Sequence, residues 1–486
     1  MSNELDRRGF LAGVGGAALT FSAAATQAHR GASPDSPPNV LLIFMDDQTY
    51  RSLGALNNSE VHTPNLDRLM ARGTTFTHAF NQGSWSGAVC IPSRAMLISG
   101  LTVWHAQDRL EKVPLWGEWF AEHGYTTFLT GKWHNGEATL KRCFTEIGPY
   151  AGGFLPSDPA IPDAQNAAYN RPMPGNDWRP DDPARGGHWM QVDGKVIHSS
   201  ERWANAAIDF LKQQADARRQ DPKAKPFLMH VAFHAPHDPR QCPREFLEMY
   251  PREKIAIPPN YLPEHPFDQG DARCRDEILA PFPRTEEAVR LHRQEYYAIL
   301  SHADRQIGRI LDTLEATGQS RNTIVMFSAD HGLAVGQHGL MGKQNQYDHS
   351  VRIPLIIAGP NIPAGKRRDA LVYQSGLFPT ACELCGLPIP RTVEHRSLTP
   401  LIRQGKGDGY AVIYGGYRDL QRMVRDHEWK LILYPKAGKT QLFHIDRDPW
   451  EQHNLADEAR YHATIKDYTD LLRKLQKDLD DTLVLT

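Results

Sequence analysis

The clearest indication of the fold is the run Val40-Leu41-Leu42-Ile43-Phe44-Met45, after which come Asp46 and Asp47. An unbroken apolar run is typical of a strand covered on both faces, as the strands of a parallel sheet are. Similar runs recur along the chain, with helical patterns between them, at residues 125–129, 227–233, 323–327 and 354–358. This alternation predicts an α/β fold: a large, doubly wound, mostly parallel sheet flanked by helices.

The sequence pattern changes after about residue 405. Short alternating runs at 411–414, 422–425, 430–434 and 441–444 predict a small antiparallel sheet, and residues 457–480 predict an amphipathic helix that covers it. We therefore expect one large domain over residues 36–400 and a C-terminal subdomain over residues 405–486.

Charged or imidazole side chains follow four of the predicted strands. Asp46 and Asp47 end the first strand, and the other clusters are Gly-Lys-Trp-His at 131–134, His-Ala-Pro-His at 234–237 and Asp-His-Gly at 330–332. Ligands of doubly wound sheets bind beyond the carboxyl ends of the strands, so these clusters are expected to meet in one site. Three carboxylates brought together there (Asp46, Asp47 and Asp330) require a cation, and their hard oxygens suit Ca²⁺ or Mg²⁺.

The segment Cys90-Ile91-Pro92-Ser93-Arg94 predicts the start of a helix. Pro92 fits the first helical turn, where a missing N–H costs nothing. The unpaired N–H groups and partial positive charge of a helix start favour an anion, and Arg94 adds a fixed cation. These features suit an activated nucleophile that acts on an anionic group.

With Leu97-Ile98-Ser99-Gly100 after it, this segment resembles the signature of the formylglycine-dependent sulfatases, Cys-x-Pro-Ser-Arg followed by Leu-x-Ser/Thr-Gly. Leu101 departs from the family, which more often has Arg there. Residues 442–446 and 448–451 resemble the family's usual C-terminal segment, so the resemblance covers nearly the whole chain after the first 30 residues. It implies an alkaline-phosphatase-like fold and hydrolysis of a sulfate ester.

The resemblance also implies the cofactors. Cys90 would be converted to formylglycine by a formylglycine-generating enzyme, and the aldehyde hydrate would be the nucleophile. The metal would be Ca²⁺, with Mg²⁺ as the alternative. Its ligands would be Asp46, Asp47, Asp330, His331 and the modified Cys90.

The remaining roles follow the family's mechanism. Arg94, Lys132 and Lys343 would stabilise the charge on the sulfate group, and Lys343 follows a Gly-rich segment, 336–342, that lets it reach inward. His237 would protonate the departing alcohol, and His134 would take a proton from the remaining hydroxyl of the hydrate so that sulfate leaves.

The substrate is expected to be a sulfated carbohydrate. Residues 148–194 and 236–284 are long irregular stretches, which are usually functional, and aromatic residues of the first either stack on sugar rings or pin the loop to the body (Tyr169, Trp178 and Trp189). Further pocket candidates are Gln48, Trp85, Asn135, Asp238 and Asn345, with His105, His234 and His338 as additional histidines. The alternatives are a phosphate or phosphonate ester hydrolase of the same superfamily and an inactive, Ca²⁺-stabilised glycan-binding protein.

The net charge of the chain limits its partners, and its first 30 residues indicate its location. Fifty-five Lys and Arg against 57 Asp and Glu give a formal charge of −2, so no bulk field recruits nucleic acid or an anionic membrane. Residues 1–30 contain Arg7-Arg8 and an Ala/Gly-rich stretch that resembles a twin-arginine export signal, which predicts a periplasmic or secreted protein; no later segment predicts a membrane span. Conversion of Cys90 leaves five cysteines, of which Cys242 and Cys274 are a possible disulfide and Cys382 and Cys385 are expected to be buried thiols.

Overall fold

The computed structural model describes residues 37–56, 58–155, 170–405 and 409–485. The predicted export signal and Tyr169 lie outside these residues. Within the described part of the chain, helices of the length and apolar character that a bilayer span requires are absent. All six cysteines fall in the described ranges and are free thiols, so the possible Cys242–Cys274 disulfide is not formed, and Cys382 and Cys385 are buried as expected.

The described strands are, in chain order, β1 (Asn39–Asp46), β2 (Gly73–Phe80), β3 (Gly83–Ser84), β4 (Thr126–Lys132), β5 (Glu146–Ala151), β6 (Trp189–Val192), β7 (Lys195–His198), β8 (Phe227–Pro236), β9 (Thr323–Ala329), β10 (Arg352–Ala358), β11 (Lys366–Arg368), β12 (Val372–Tyr373), β13 (Ile413–Tyr417), β14 (Gln421–Arg425), β15 (Trp429–Tyr434) and β16 (Lys439–His444).

The described α-helices, numbered in chain order, are α1 (Pro64–Arg72), α2 (Cys90–Ser99), α3 (Val103–Arg109), α4 (Trp116–Glu122), α5 (Glu137–Cys143), α6 (Ser199–Gln220), α7 (Arg244–Glu248), α8 (Glu286–Ala316), α9 (Asp348–Val351), α10 (Leu377–Leu384), α11 (Thr399–Gln404) and α12 (His462–Asp478).

The large sheet has nine strands among the described residues, in the order β11-β2-β10-β9-β1-β8-β4-β5, with β12 also paired to β2. β1 lies near the centre and pairs in parallel with β8 and β9. The antiparallel pairs are those that β10 makes with β2 and β9. The predicted mostly parallel α/β sheet is confirmed.

Alternate side chains of β1 pack against two different helical layers. Leu41 and Ile43 belong to the apolar cluster that contains residues of α1, α6 and α8. Leu42 and Phe44 belong to the cluster that contains residues of α4, α10 and α11. Because both faces are covered, every position from 40 to 45 must be apolar, and this explains the run that opens the fold.

The C-terminal part forms a second sheet in the order β16-β15-β14-β13-β3, antiparallel except for the β13–β3 pair. Leu472 of α12 packs with residues of β13 to β16, so the helix covers this sheet as predicted. The short strand β3 comes from the segment just before α2. The small sheet is therefore joined directly to the part of the chain that carries Cys90.

Candidate active site

The sheet places the predicted site residues at one edge. Asp46 and Lys132 are the last residues of β1 and β4, His237 follows β8, and Asp330 follows β9. These strands are neighbours in the order β9-β1-β8-β4, so their carboxyl ends meet. Apart from the half-buried His134, each predicted catalytic or metal-binding residue is buried, with at most 5% of its surface exposed.

Backbone contacts fix the turn that follows β1. Asp47 has a φ of 73°, in the left-handed region that non-glycine residues rarely adopt. Its N–H donates to Asp330 Oδ1 (3.0 Å), and its carbonyl oxygen accepts from the Tyr296 hydroxyl (2.8 Å). Both contacts hold the Asp47 backbone in this conformation at the end of β1, and they offset a backbone cost of about 1 kcal/mol or more.

Cys90 is the first residue of α2 and lies in the middle of this cluster. Its Sγ is 3.2 Å from Asp46 Oδ1, 3.5 Å from His331 Nε2 and 3.7 Å from Lys343 Nζ. Burial, with a further contribution from Asp46, raises the pKa of the Cys90 thiol well above its ordinary value. The Ser93 hydroxyl donates to the Asp330 carbonyl oxygen (2.6 Å), which ties α2 to the end of β9.

The carboxylates are each paired with a buried cation. Lys132 contacts Asp46, and Lys343 Nζ lies 2.6 and 2.8 Å from the two Asp47 oxygens. Arg94 donates to Asp330 Oδ2 (3.2 Å) and also lies 3.8 Å from Asp46 Oδ2. Burial, and secondarily Asp46, raises the pKa of Asp330 to about 6. Three negative and three positive side chains thus share one water-poor volume.

The donor set fits a divalent cation. Ligand atoms of Asp46, Cys90, Asp330 and His331 all lie within 4.8 Å of one another, as do those of a second group in which Asp47 and His237 replace Asp330 and His331. His331 Nδ1 contacts the Gly332 carbonyl oxygen (2.9 Å), which assigns its proton to Nδ1 and turns the Nε2 lone pair towards Asp47 Oδ1 (3.3 Å). A lone pair facing carboxylate oxygens is repulsive unless a cation lies between them.

Two histidines lie beside the cluster with different environments. His237 Nδ1 contacts the Asp238 carbonyl oxygen (2.7 Å), so Nε2, which is 3.9 Å from Asp47 Oδ2, faces the site. Burial, reinforced by Lys343, lowers the pKa of His237 to about 4. Burial together with Lys132 lowers the pKa of His134 to about 3, and its buried Nδ1 has no hydrogen-bond partner among the described residues.

Several pocket candidates border the site, and others do not. Asn135 donates to the Ile91 carbonyl oxygen (3.1 Å) at the start of α2. His105 instead lies between Glu394 and Asp480, and His338 stacks on Tyr347 with a centroid distance of 3.9 Å. The other candidates are Gln48, which is fully buried; Asn345, which accepts from the Tyr347 N–H; His234, which contacts the Gly152 carbonyl oxygen; and Trp85, which packs on the apolar cluster of α2.

The two described tryptophans of the first irregular stretch hold that stretch in place. Trp178 is buried beneath the Arg171 guanidinium, and Trp189 Nε1 donates to the Pro180 carbonyl oxygen (3.2 Å). Of the two interpretations of these residues, the structure favours anchoring of the loop.

Two residues that the sequence patterns did not indicate, Arg275 and Asp276, form a bracket of ion pairs beside the site. Arg275 contacts both Asp238 and Asp276, and Asp276 Oδ2 accepts from Gln344 Nε2 (2.7 Å) and lies 3.9 Å from Lys343 Nζ. This bracket links the loop of His237 to the loop of Lys343. Its residues lie in the stretch 236–284, whose length indicated a function but whose pattern did not single them out.

The chain matches the family model described as Sulfatase over residues 38–387, and the model described as N-sulphoglucosamine sulphohydrolase, C-terminal, over residues 336–478. A Formosa agariphila protein named Sulfatase is 27% identical over 472 residues, which are 91% of this chain and 88% of that protein.

Two solved structures are similar over most of their length. BT4656 in complex with its substrate D-glucosamine-2-N,6-O-disulfate has a TM-score of 0.68 at 21% identity and covers 92% of this chain and 99% of that one. The phosphonate monoester hydrolase of Agrobacterium radiobacter has a TM-score of 0.67 at 21% identity, with 91% and 96% covered. At such identities the likeness shows the fold. The family match over most of the chain shows more: this protein belongs to the sulfatase family. It is accordingly a sulfuric ester hydrolase.

Proposed function

We propose that the enzyme hydrolyses sulfate esters of carbohydrates, with formylglycine made from Cys90 and with a divalent cation, Ca²⁺ or, as the alternative, Mg²⁺. The observation that carries the proposal is the position of Cys90 at the start of α2, between a cluster of carboxylates and three buried cations. As the aldehyde hydrate, residue 90 would supply the oxygen that attacks sulfur.

Asp46, Asp47, Asp330 and His331 are the residues that would hold the cation together with residue 90. When bound, the ion would lower the pKa of the hydrate and neutralise sulfate oxygens. The Nε2 lone pair of His331 among carboxylate oxygens supports this assignment.

Lys132, Lys343 and Arg94 would stabilise the sulfate oxygens as negative charge shifts onto them. All three are buried, so their charges act in a water-poor environment where they are worth more than at the surface. Lys343 Nζ lies 3.7 Å from the Cys90 Sγ and is therefore within reach of a group bound to residue 90.

His237 and His134 are proposed to move the protons. His237 Nδ1 holds its proton on the Asp238 carbonyl oxygen, so Nε2 is the atom that would take up a second proton from solvent and give it to the leaving alcohol. Asp238 Oδ1, 3.5 Å from Nδ1, stabilises the protonated ring. His134 has a buried Nδ1 without a partner among the described residues, so it is free to accept the proton that the hydrate gives up when sulfate leaves.

A sulfated carbohydrate is the proposed substrate because the C-terminal family model is that of an N-sulphoglucosamine sulphohydrolase and BT4656 binds a sulfated glucosamine. We further propose that residues 36–400 act as the catalytic domain and 405–486 as a subdomain at its rim. Residues 1–30 would direct export to the periplasm or the exterior. The partner in maturation would be a formylglycine-generating enzyme.

The test is a rate comparison on defined substrates. Wild-type protein, produced together with a formylglycine-generating enzyme, is assayed on sulfated mono- and oligosaccharides, on an aryl sulfate and on the matching phosphate and phosphonate esters. The proposal expects the highest kcat/KM on a sulfated sugar and no turnover by Cys90→Ala. A higher kcat/KM on phosphonate esters would assign the enzyme to the phosphonate hydrolase alternative, and sugar binding without turnover would indicate the glycan-binding alternative.

A further inference from the structure

A short segment after β5 borders the site and contacts three of its histidines. In segment 152–154, which reads Gly-Gly-Phe, the first carbonyl oxygen accepts a hydrogen bond from His234 Nε2 (3.1 Å). The second residue lies so close to the His134 ring that a Cβ there would overlap it. The Phe154 ring meets the His237 ring edge to face, with centroids 5.5 Å apart and an interplanar angle of 78°.

Exposure shows where this segment lies relative to solvent. Asp47 is 0% exposed, His237 is 5% exposed, and Phe154 is 47% exposed. The three side chains follow one another in contact, because His237 Nε2 faces Asp47 and the His237 ring faces Phe154. Phe154 therefore lies at the solvent end of a path that begins at the metal-binding carboxylates.

A second contact fixes the orientation of the Phe154 ring. The Arg275 guanidinium lies 4.8 Å from the ring centroid, and Arg275 is itself held by Asp238 and Asp276. A phenylalanine that only anchored its loop would be buried, as Trp178 is. Phe154 is held in position on two sides and still leaves nearly half of its surface open.

We propose that Phe154 is a specificity-determining residue that binds the alcohol part of the sulfate ester and selects esters whose alcohol carries a ring. The inference rests on the proposed function, in which His237 meets the leaving-group oxygen. A ring attached to that oxygen would lie on the solvent side of His237, where the Phe154 side chain can pack against the apolar face of a pyranose or an aryl group.

The experiment distinguishes binding of the substrate ring from binding of the sulfate group. Phe154→Ala, Phe154→Tyr and wild type, each loaded with the cation and with residue 90 converted, are compared in the hydrolysis of 4-nitrophenyl sulfate and in competitive inhibition by inorganic sulfate. Tyr150→Ala is the matched control, since Tyr150 is an aromatic residue of similar exposure (46%) on β5, outside segment 152–154.

For Phe154→Ala we expect KM for the aryl sulfate to rise about tenfold with little change in kcat, because a stacking contact is lost equally in the ground and transition states. The inhibition constant of inorganic sulfate should stay within about twofold of wild type, since that ion reaches only the anion site. Phe154→Tyr keeps the ring and should resemble wild type, as should Tyr150→Ala.

Two results would overturn the inference while leaving the proposed function intact: an unchanged KM in Phe154→Ala, or an equal rise in the inhibition constant of inorganic sulfate. The second result would mean that the segment shapes the anion site instead of the ring site. If wild type hydrolyses no sulfate ester, the proposed function itself fails, and the inference fails with it.

Discussion

The contact between Gly153 and His134 gives the sharpest test of a catalytic role. A Cβ added at Gly153 would overlap the His134 ring, whereas a Cβ added at the neighbouring Gly152 would meet no atom within 4 Å. Gly153→Ala and Gly152→Ala therefore make the same chemical change one residue apart. Only the first requires His134 to move.

The expected loss of rate follows from the position of the His134 ring. His134 is half-buried beside Lys132, and relieving the overlap by a shift of about 1 Å takes the ring away from its productive position, which costs on the order of 100-fold in rate. Overpacking of this kind costs about 1–3 kcal/mol in stability. Gly152→Ala should change kcat by less than about twofold, because nothing has to shift.

The assay is a stopped-flow measurement of nitrophenol release from 4-nitrophenyl sulfate. His134 is proposed to act after the alcohol has left, so the first turnover of Gly153→Ala should remain fast and the following turnovers should be slow. The fast phase should release about one nitrophenol per active site, and this amplitude counts folded enzyme independently of any loss of stability. Wild-type kcat in Gly153→Ala, or an equal loss in both variants, would refute the role given to His134.

Three further predictions concern the ion, pH and the C-terminal sheet. Chelation should abolish turnover and lower Tm, because the proposed ion would bind the buried carboxylates of the folded protein and not the unfolded chain, and Ca²⁺ should restore both. Unchanged activity in metal-free protein would contradict the cation proposal. Burial lowers the pKa of His230 to about 3, whereas the unfolded chain has the ordinary value of 6.5, so the unfolded state takes up a proton on acidification and the folded state does not. Lowering the pH from 7.5 to 5.5 should therefore reduce the free energy of unfolding of wild type by about 1.4 kcal/mol more than that of His230→Leu. Urea titrations of both proteins at both pH values measure this difference. Asp348→Ala should lower the free energy of unfolding by about 3–5 kcal/mol, because it leaves the buried Arg425 unpaired. Asp470→Ala, which breaks an exposed ion pair, is the control and should cost under about 0.5 kcal/mol. Equal urea midpoints for the two variants would refute this difference.

Much of the site could be predicted from the sequence because its residues lie at the carboxyl ends of strands. Apolar runs identify buried parallel strands, and the residues that follow them must meet at one edge of the sheet. The sequence alone could therefore group four site residues: Asp46, Lys132, His237 and Asp330. Cys90 could be assigned to the same site because the motif around it predicts the start of a helix that favours an anion. The catalytic and metal roles of these residues stay predictions until the experiments above are done.

The rim of the site could not be predicted because irregular segments carry no periodic signal. Phe154, Arg275 and Asp276 lie in long stretches where neighbouring residues face different directions, and tertiary contacts alone bring them to His237 and Lys343. The same holds for β3, a two-residue strand that joins the C-terminal sheet through pairing with β13.

Whether residue 90 acts as formylglycine is measured most directly by the mass of the peptide that contains it, taken on enzyme batches of graded specific activity. A formylglycine nucleophile requires that activity on sulfate esters rise in proportion to the fraction of peptide carrying an aldehyde at position 90 and fall to zero where only the thiol is found. Fully active enzyme whose peptide carries the unmodified Cys90 thiol would contradict it.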